Sequence, residues 1–310
     1  MINSTKVFKA HRKAFTLIEL LIVIAIIAIL VGLVVVVAGS MMTRAKSSKD
    51  MVNHRIISAA TWSFSVDNKG RFLHPRIYAH KWGDLAGWST PEQIERMWMA
   101  SEEDDGNVVT VNEKKVELQS AILEGAAYPY IGDIMVYQSP IDPTIGNVSE
   151  FVSDNPSVTT ARIRSYSLNG FIGVEWGADD YLGFRDDEMD LGQNGYWLAT
   201  ETVSQIPQPS STMCSIGEED TGGMNLNGWI LDPQYYNSGG ETWHDYPAFW
   251  DEGFVNISYI DGSTGSINIT SDSLKQSWQD DGHDGNTGGL KEYKDFRKVL
   301  LPGRIGNILD

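Results

Sequence analysis

The sequence predicts an α+β fold, one long N-terminal helix packed on an antiparallel sheet with long loops. Three observations predict it. An uncharged, apolar run fills Leu20 to Ala38. After it, apolar residues recur at helical spacings of three and four. From Arg71 onward, short apolar stretches alternate with turn-forming Gly, Pro, Asn and Asp.

Composition narrows the function. With 24 Lys+Arg against 41 Asp+Glu, the net charge is -17, which excludes a sequence-independent nucleic-acid binder. At 42% apolar and 21% charged, the chain is not broadly disordered. Its one cysteine, Cys214, excludes an intrachain disulfide and a Cys-rich zinc site.

Residues 1–14 carry Lys6, Lys9, Arg12 and Lys13 and no acid. Residues 15–40 then supply the ~20 apolar positions that a membrane-spanning helix needs. A buried core helix keeps one polar face, and this segment is apolar all round. A secretory signal has a shorter apolar stretch and a small-residue cleavage site, whereas Met41-Met42-Thr43-Arg44 follows here. The segment therefore reads as a retained single-pass inner-membrane anchor. Its basic N-terminal side stays cytoplasmic and the bulk of the chain lies outside that membrane. The lipid bilayer is thus the first expected partner.

Glu19 stands inside the apolar segment. A carboxylate in hydrocarbon costs several kcal/mol unless protonated, paired or near the interface, so it is a functional candidate. Were the chain cut before Phe15, the new amine could pair with a Glu19 carboxylate of the same or a neighbouring subunit.

The helix is expected to continue to about Phe64 and to end at Asn68-Lys69-Gly70. In this second half Met51, Val52, Ile56, Ala59 and Ala60 form an apolar stripe, with Lys49, Asp50, Asn53 and Arg55 between them. That stripe must be buried, most simply against a sheet. Residues 65–310 then form one elaborated α+β domain. Thr90 and Pro91 start a short helix over Pro91 to Ala100. Val108 to Val111 and Lys115 to Leu118 form a hairpin. Ala121 to Tyr130 is a short helix or irregular. Met213 to Ile216, Val255 to Ile260 and Ser266 to Ile269 read as strands, the last two joined by the turn Asp261-Gly262-Ser263-Thr264-Gly265.

Catalytic chemistry finds little support. Glu218, Glu219 and Asp220 are adjacent acids, but neighbours on a strand point to opposite faces and do not make a glycosidase pair. No zinc-helix, nucleophile-elbow or phosphate-loop motif occurs. Asp280, Asp281 and Asp284, with Gly282 and Gly285, form an oxygen-rich loop with two readings, a calcium site or a solvated acidic surface loop. The ten Trp also have two readings, core packing or exposed rings that stack on carbohydrate.

The stretch Lys13-Ala14-Phe15-Thr16-Leu17-Ile18-Glu19-Leu20-Leu21 resembles the processing site of type IV prepilins and type II secretion pseudopilins. The resemblance implies cleavage between Ala14 and Phe15 by the prepilin peptidase, methylation of the Phe15 amine, and Glu19 as the assembly carboxylate. Residues 1–14 would be the leader peptide. Ala14 stands where the family usually has Gly. The absence of Pro before Pro75 resembles a pseudopilin's straight helix. Major pseudopilins often hold a C-terminal loop with calcium, which is the resemblance behind a metal at Asp280, Asp281 and Asp284.

The body resembles prepilin-like proteins with a C-terminal His followed by Asp-Gly. The matching stretches are Tyr128–Gly132, Ser139-Pro140-Ile141-Asp142-Pro143, Ser165–Asn169, Ile206–Ser210, and His244 with Asp261-Gly262. Ser139 stands where that family often has Cys, and residues 245–260 make a longer His-to-Asp gap than usual. The resemblance implies a structural filament subunit. Its partners would be copies of itself, other pilins or pseudopilins, the peptidase and an inner-membrane assembly platform. It would end in a periplasmic or cell-surface filament. The alternatives are a carbohydrate-binding adhesin on such a filament and a membrane-anchored hydrolase.

Overall fold

The computed structural model describes residues 16–75, 92, 95–99, 108–111, 114–117, 119–143, 145, 163–173, 200–219, 228–231, 242–243, 245–251, 253–272, 274–275, 285–286 and 290–300. The chain divides into two units, Met1–Ala45 and Lys46–Asp310. Helix α1, Leu17–Asp67, contributes to both.

In the first unit, the apolar side chains from Leu17 to Val35 lie exposed. This part of α1 is long and apolar enough to cross a membrane, by length and composition. α1 ends as the sequence predicts. Lys69 and Gly70 take left-handed φ values of 58° and 83°, and the Gly70 amide returns to the Ser65 carbonyl at 2.7 Å.

In the second unit, strands β1 (Val108–Val111) and β2 (Lys114–Glu117) pair as an antiparallel hairpin. Two short helices, α2 (Gln119–Glu124) and α3 (Tyr128–Ile131), follow. The central sheet is antiparallel and contains β3 (Tyr166–Leu168), β4 (Met213–Glu219), β7 (Phe254–Tyr259) and β8 (Thr264–Asn268) in that order. β6 (Tyr246–Pro247) pairs with the end of β4 as the fifth strand. β5 (Thr242–Trp243) pairs with β9 (Gly285–Asn286), and α4 (Leu290–Leu300) closes the described chain. The α+β layout, a long helix with an antiparallel sheet, is the predicted one.

One core cluster joins Met213, Ile216, Val255 and Ile257 of the sheet to Trp229, Trp243 and the α4 residues Tyr293, Phe296 and Leu300. Glu292 of α4 accepts from the Thr270 amide and hydroxyl at 2.8 and 2.7 Å, which ties the helix to the end of β8. A second cluster joins Ile57 and Phe64 of α1 to Trp98, Tyr137 and Tyr166. Where Gly170 meets Gly228, a Cβ on Gly228 would lie 2.5 Å from the Gly170 Cα, so the crossing admits no side chain there.

Two expectations hold only in part. Of the helix expected over Pro91 to Ala100, Glu92 is helical and Met97–Met99 are not. His74 forms a parallel bridge with Met97, in which His74 N donates to Arg96 O at 2.7 Å and Trp98 N to His74 O at 3.0 Å. The buried face of α1 is also different from the predicted stripe. Of the predicted stripe only Ala60 is buried, Val52 and Ala59 are exposed and Met51 and Ile56 are half-buried, while Asp50, Asn53, His54, Ile57, Ser58, Thr61 and Phe64 are buried.

The cause lies in the partners the fold supplies. The Asp50 carboxylate accepts from Ser139 Oγ at 2.5 Å, the Tyr166 hydroxyl at 2.6 Å and Asn256 Nδ2 at 2.9 Å. Asn53 Nδ2 donates to the Gln138 carbonyl at 2.8 Å. His54 Nδ1 meets Ser215 Oγ at 2.8 Å, and Ser215 Oγ meets Ser258 Oγ at 2.6 Å. Ser58 Oγ donates to the Tyr259 carbonyl at 2.5 Å. A register shift between Met213 and Ser215 makes this possible. An irregularity in β4 breaks the strict side-to-side alternation, and both Cys214 and Ser215 are buried, with Ser215 reaching His54. Buried polar groups are tolerated where they are paired.

Replacing Asp50 by Ala leaves three buried donors without their acceptor. At about 1–3 kcal/mol per orphaned buried group, Asp50→Ala is expected to cost at least about 3 kcal/mol in denaturant unfolding followed by Trp fluorescence. A loss under about 1 kcal/mol would contradict the network. His54 makes stability pH-dependent. Burial lowers its pKa from the ordinary 6.5, and the Asp50 carboxylate at 3.8 Å acts the other way. The unfolded chain therefore binds the proton more readily. The His54 contribution is complete above pH 6.5 and is lost as pH falls from there towards the lower folded value, with a limiting slope of about 1.4 kcal/mol per pH unit. Unfolding midpoints between pH 7 and pH 5 should fall less steeply in His54→Gln than in wild type, and equal slopes would refute it.

Candidate assembly site

Thr16 precedes the first turn of α1 and Glu19 lies three residues on. Their bonds are reciprocal. The Thr16 amide and hydroxyl donate to Glu19 Oε2 at 2.9 and 2.7 Å, and the Glu19 amide donates to Thr16 Oγ1 at 3.3 Å. This is a capping box, in which side chains satisfy amides that a helix N-terminus leaves without carbonyl partners. The carboxylate also sits at the positive end of the helix dipole. Thr16-Leu17-Ile18-Glu19 has the sequence signature of such a box, so Thr16 was legible as the partner of Glu19. The N-terminal direction of these bonds turns the carboxylate back towards Thr16. Ala14 and Phe15 lie outside the described residues.

The family model of the prokaryotic N-terminal methylation motif matches residues 9–35. The N-terminus is that of a type IV prepilin-like protein. The match takes in Lys9, Arg12 and Lys13, the Ala14-Phe15 pair, the capping box and most of the apolar run. Motifs of this type mark precursors of structural subunits. No curated protein and no solved structure matches the chain.

The body residues singled out from sequence are placed as follows. Asp261 and Gly262 form the β7–β8 turn, where Asp261 Oδ1 accepts from the Ser263 amide at 2.9 Å and its hydroxyl at 2.6 Å, and Gly262 takes φ +87°. The Asp261 amide donates to the Pro209 carbonyl at 3.3 Å, which joins two of the stretches that the resemblance picked out. His244, Asp280, Asp281 and Asp284 lie outside the described residues. Among the described residues no three His, Cys, Asp or Glu side chains are grouped to hold a metal ion.

Two further stretches meet one another. Ser165 Oγ donates to Asp142 at 2.7 Å and accepts from the Ser139 amide at 2.9 Å, while Ser139 Oγ reaches Asp50. Ser139 thus connects this block to α1 through a hydroxyl, where a thiol would be a weaker donor. Asn169 closes the same region by donating to the Met213 and Leu300 carbonyls at 2.9 and 2.7 Å.

The hydrolase candidate Glu218 is buried. It accepts from the Ser167 hydroxyl and lies 3.6 Å from the Arg164 guanidinium, itself buried. A carboxylate committed in this way is a core ion pair and presents nothing to a substrate. Of the Trp residues described, Trp98, Trp229 and Trp243 are fully buried and pack on Tyr137, Phe296 and Tyr293 respectively. The core-packing reading holds for these three.

Proposed function

We propose that this chain is a structural subunit of a type IV pilus or a type II secretion pseudopilus. The observation that carries this reading is the methylation motif over residues 9–35 joined to an exposed, membrane-length apolar helix. In this reading the prepilin peptidase cuts between Ala14 and Phe15 and the Phe15 amine is methylated. The subunit waits in the inner membrane with its N-terminus cytoplasmic. It is then drawn by the assembly platform into a filament of its own copies and other pilins.

The chemistry follows from two surfaces. Apolar side chains that face lipid in the single subunit face other helices in the filament, so extraction exchanges one apolar setting for another. Glu19 supplies direction. Its carboxylate bonds Thr16 in the single chain. The amine of an incoming Phe15 adds a full positive charge, and the attraction is strong in a low-dielectric core.

Intact-mass and fragment mass spectrometry of the membrane and sheared-filament fractions tests the reading. The expected product begins at methylated Phe15 in both fractions. Glu19→Gln keeps size but cannot pair with the amine. It should be cleaved and inserted like wild type, while its share in the filament fraction falls at least tenfold. Residues 1–14 retained in the filament fraction would refute processing, and equal incorporation of Glu19→Gln would refute the pairing.

A further inference from the structure

Three bases stand on α1 just beyond the apolar run. Residues 20–43 hold no charge, and Arg44, Lys46 and Lys49 follow, all exposed. In an anchored chain, bases on the outer side of a span work against the orientation that the leader sets. The body beyond them is strongly acidic. Residues 1–49 hold seven bases and one acid, so with the whole chain at -17, residues 50–310 carry a net charge of -23. That body offers many carboxylates, yet among the described residues Arg44, Lys46 and Lys49 make no ion pair. The acid beside them, Asp50, is buried and occupied by Ser139, Tyr166 and Asn256.

Their height along the helix matches a bilayer surface. With the membrane-length segment ending at Ser40, a rise of ~1.5 Å per residue puts Arg44 about 6 Å, Lys46 about 9 Å and Lys49 about 13 Å beyond it. The headgroup layer is about 5–7 Å deep on each side of the hydrocarbon. Helical side chains tilt towards the N-terminus, which here is the membrane, so each long stem brings its charge back down. Lys49, the highest of the three, lies within the ~8 Å Debye length of that layer. Their angular spread separates lipid from protein as the partner. At about 100° per residue, Lys46 and Lys49 stand about 200° and 140° from Arg44. The three bases therefore ring α1 and share no single face. A docked protein covers one face of a helix, whereas headgroups surround it. The body starts at the same level, where Asn256 Nδ2 reaches Ser47 Oγ at 3.5 Å. An anionic membrane surface repels that acidic body, and a basic ring between the two attracts both.

We infer that Arg44, Lys46 and Lys49 form a basic collar that binds the phosphates of anionic phospholipid headgroups in the outer leaflet of the inner membrane. This rests on the proposed membrane anchoring and extends it by naming the lipid class that the anchored subunit selects. Arg44 offers phosphate a bidentate fork, and the two Lys act as point charges. The collar fixes the depth of α1 and holds the acidic body against a surface of its own sign. These contacts are given up when the subunit leaves the bilayer, so the collar favours the membrane-held state.

Lipid selectivity of the full-length chain in phosphatidylcholine vesicles tests it. Spin-labelled phosphatidylglycerol and spin-labelled phosphatidylcholine are compared by the fraction of each that the protein immobilises. Lys6, Lys9, Arg12 and Lys13 are replaced by Gln in every sample, so that only the outer bases are read. Phosphatidylglycerol is expected to be preferred at least threefold. The preference should fall at least twofold when Arg44→Gln, Lys46→Gln and Lys49→Gln are combined, and should survive Arg44→Lys, Lys46→Arg and Lys49→Arg, which keep the charge. It should also fall in about 1 M salt, where the Debye length is ~3 Å. Equal immobilisation of the two lipids, or a preference that the combined Gln variant retains, would overturn the inference. Loss of the preference on adding inorganic phosphate at constant ionic strength would make the collar a site for free phosphate and would also overturn it. So would a Gln variant that keeps the preference but loses association between copies, which would assign the bases to a second chain. Failure of the chain to sediment with the vesicles would instead refute the membrane reading on which the inference stands.

Discussion

The buried Asp50 carboxylate is the contact on which the rest of the second unit depends. It gathers a hydroxyl from the Ser139 loop, a phenol from β3 and an amide from β7 onto one turn of α1. These three elements are far apart in sequence, and a single carboxylate has enough lone pairs to hold them together. Burial beside that carboxylate pushes the Tyr166 hydroxyl well above its ordinary range, so it remains a donor. Geometric demands of this kind specify orientation more tightly than apolar contact does. Ile57 and Phe64 add apolar burial on the same side, and the polar set fixes the rotation of the helix about its axis.

That rotation has a consequence on the other side. Once Asp50, His54, Ser58 and Thr61 face the sheet, Val52, Ala59, Trp62 and Val66 face away from it. The same logic governs the N-terminal turn. The capping box consumes Glu19 within its own chain, so any partner for the carboxylate must improve on the bonds from Thr16. A positive amine does so most effectively where water is excluded.

Much of this was legible in the sequence, for reasons that can be traced. The apolar run from Leu20 to Ala38 and the junction around Phe15 are written in consecutive residues, and the strands at Met213 and Val255 are bounded by turn formers. Lys69 and Gly70 mark the end of α1 by the backbone angles they tolerate. The orientation of the second half was not legible. Periodicity reports which residues share a face, and the assumption that the apolar face is the inner one fails when the sheet presents Ser215, Ser258 and Asn256. Those partners come from distant strands, and the register shift that aligns Cys214 and Ser215 leaves no trace in a single sequence. The Thr16 cap was legible, through the Thr-x-x-Glu spacing, but sequence reasoning gave attention to the charge of Glu19 and not to its neighbour.

The central claim is that α1 docks through a mixed face, the polar Asp50, Asn53, His54, Ser58 and Thr61 together with Ile57, Ala60 and Phe64, and leaves Val52, Ala59, Trp62 and Val66 exposed. Alkylation of single cysteines, placed one at a time from Val52 to Val66 in the detergent-dispersed monomeric full-length chain, tests this most directly. The account predicts fast labelling at positions 52, 59, 62 and 66 and protection at 53, 54, 57, 58 and 61. The opposite phase, with positions 53, 54 and 58 open and positions 52, 59 and 62 protected, would contradict it.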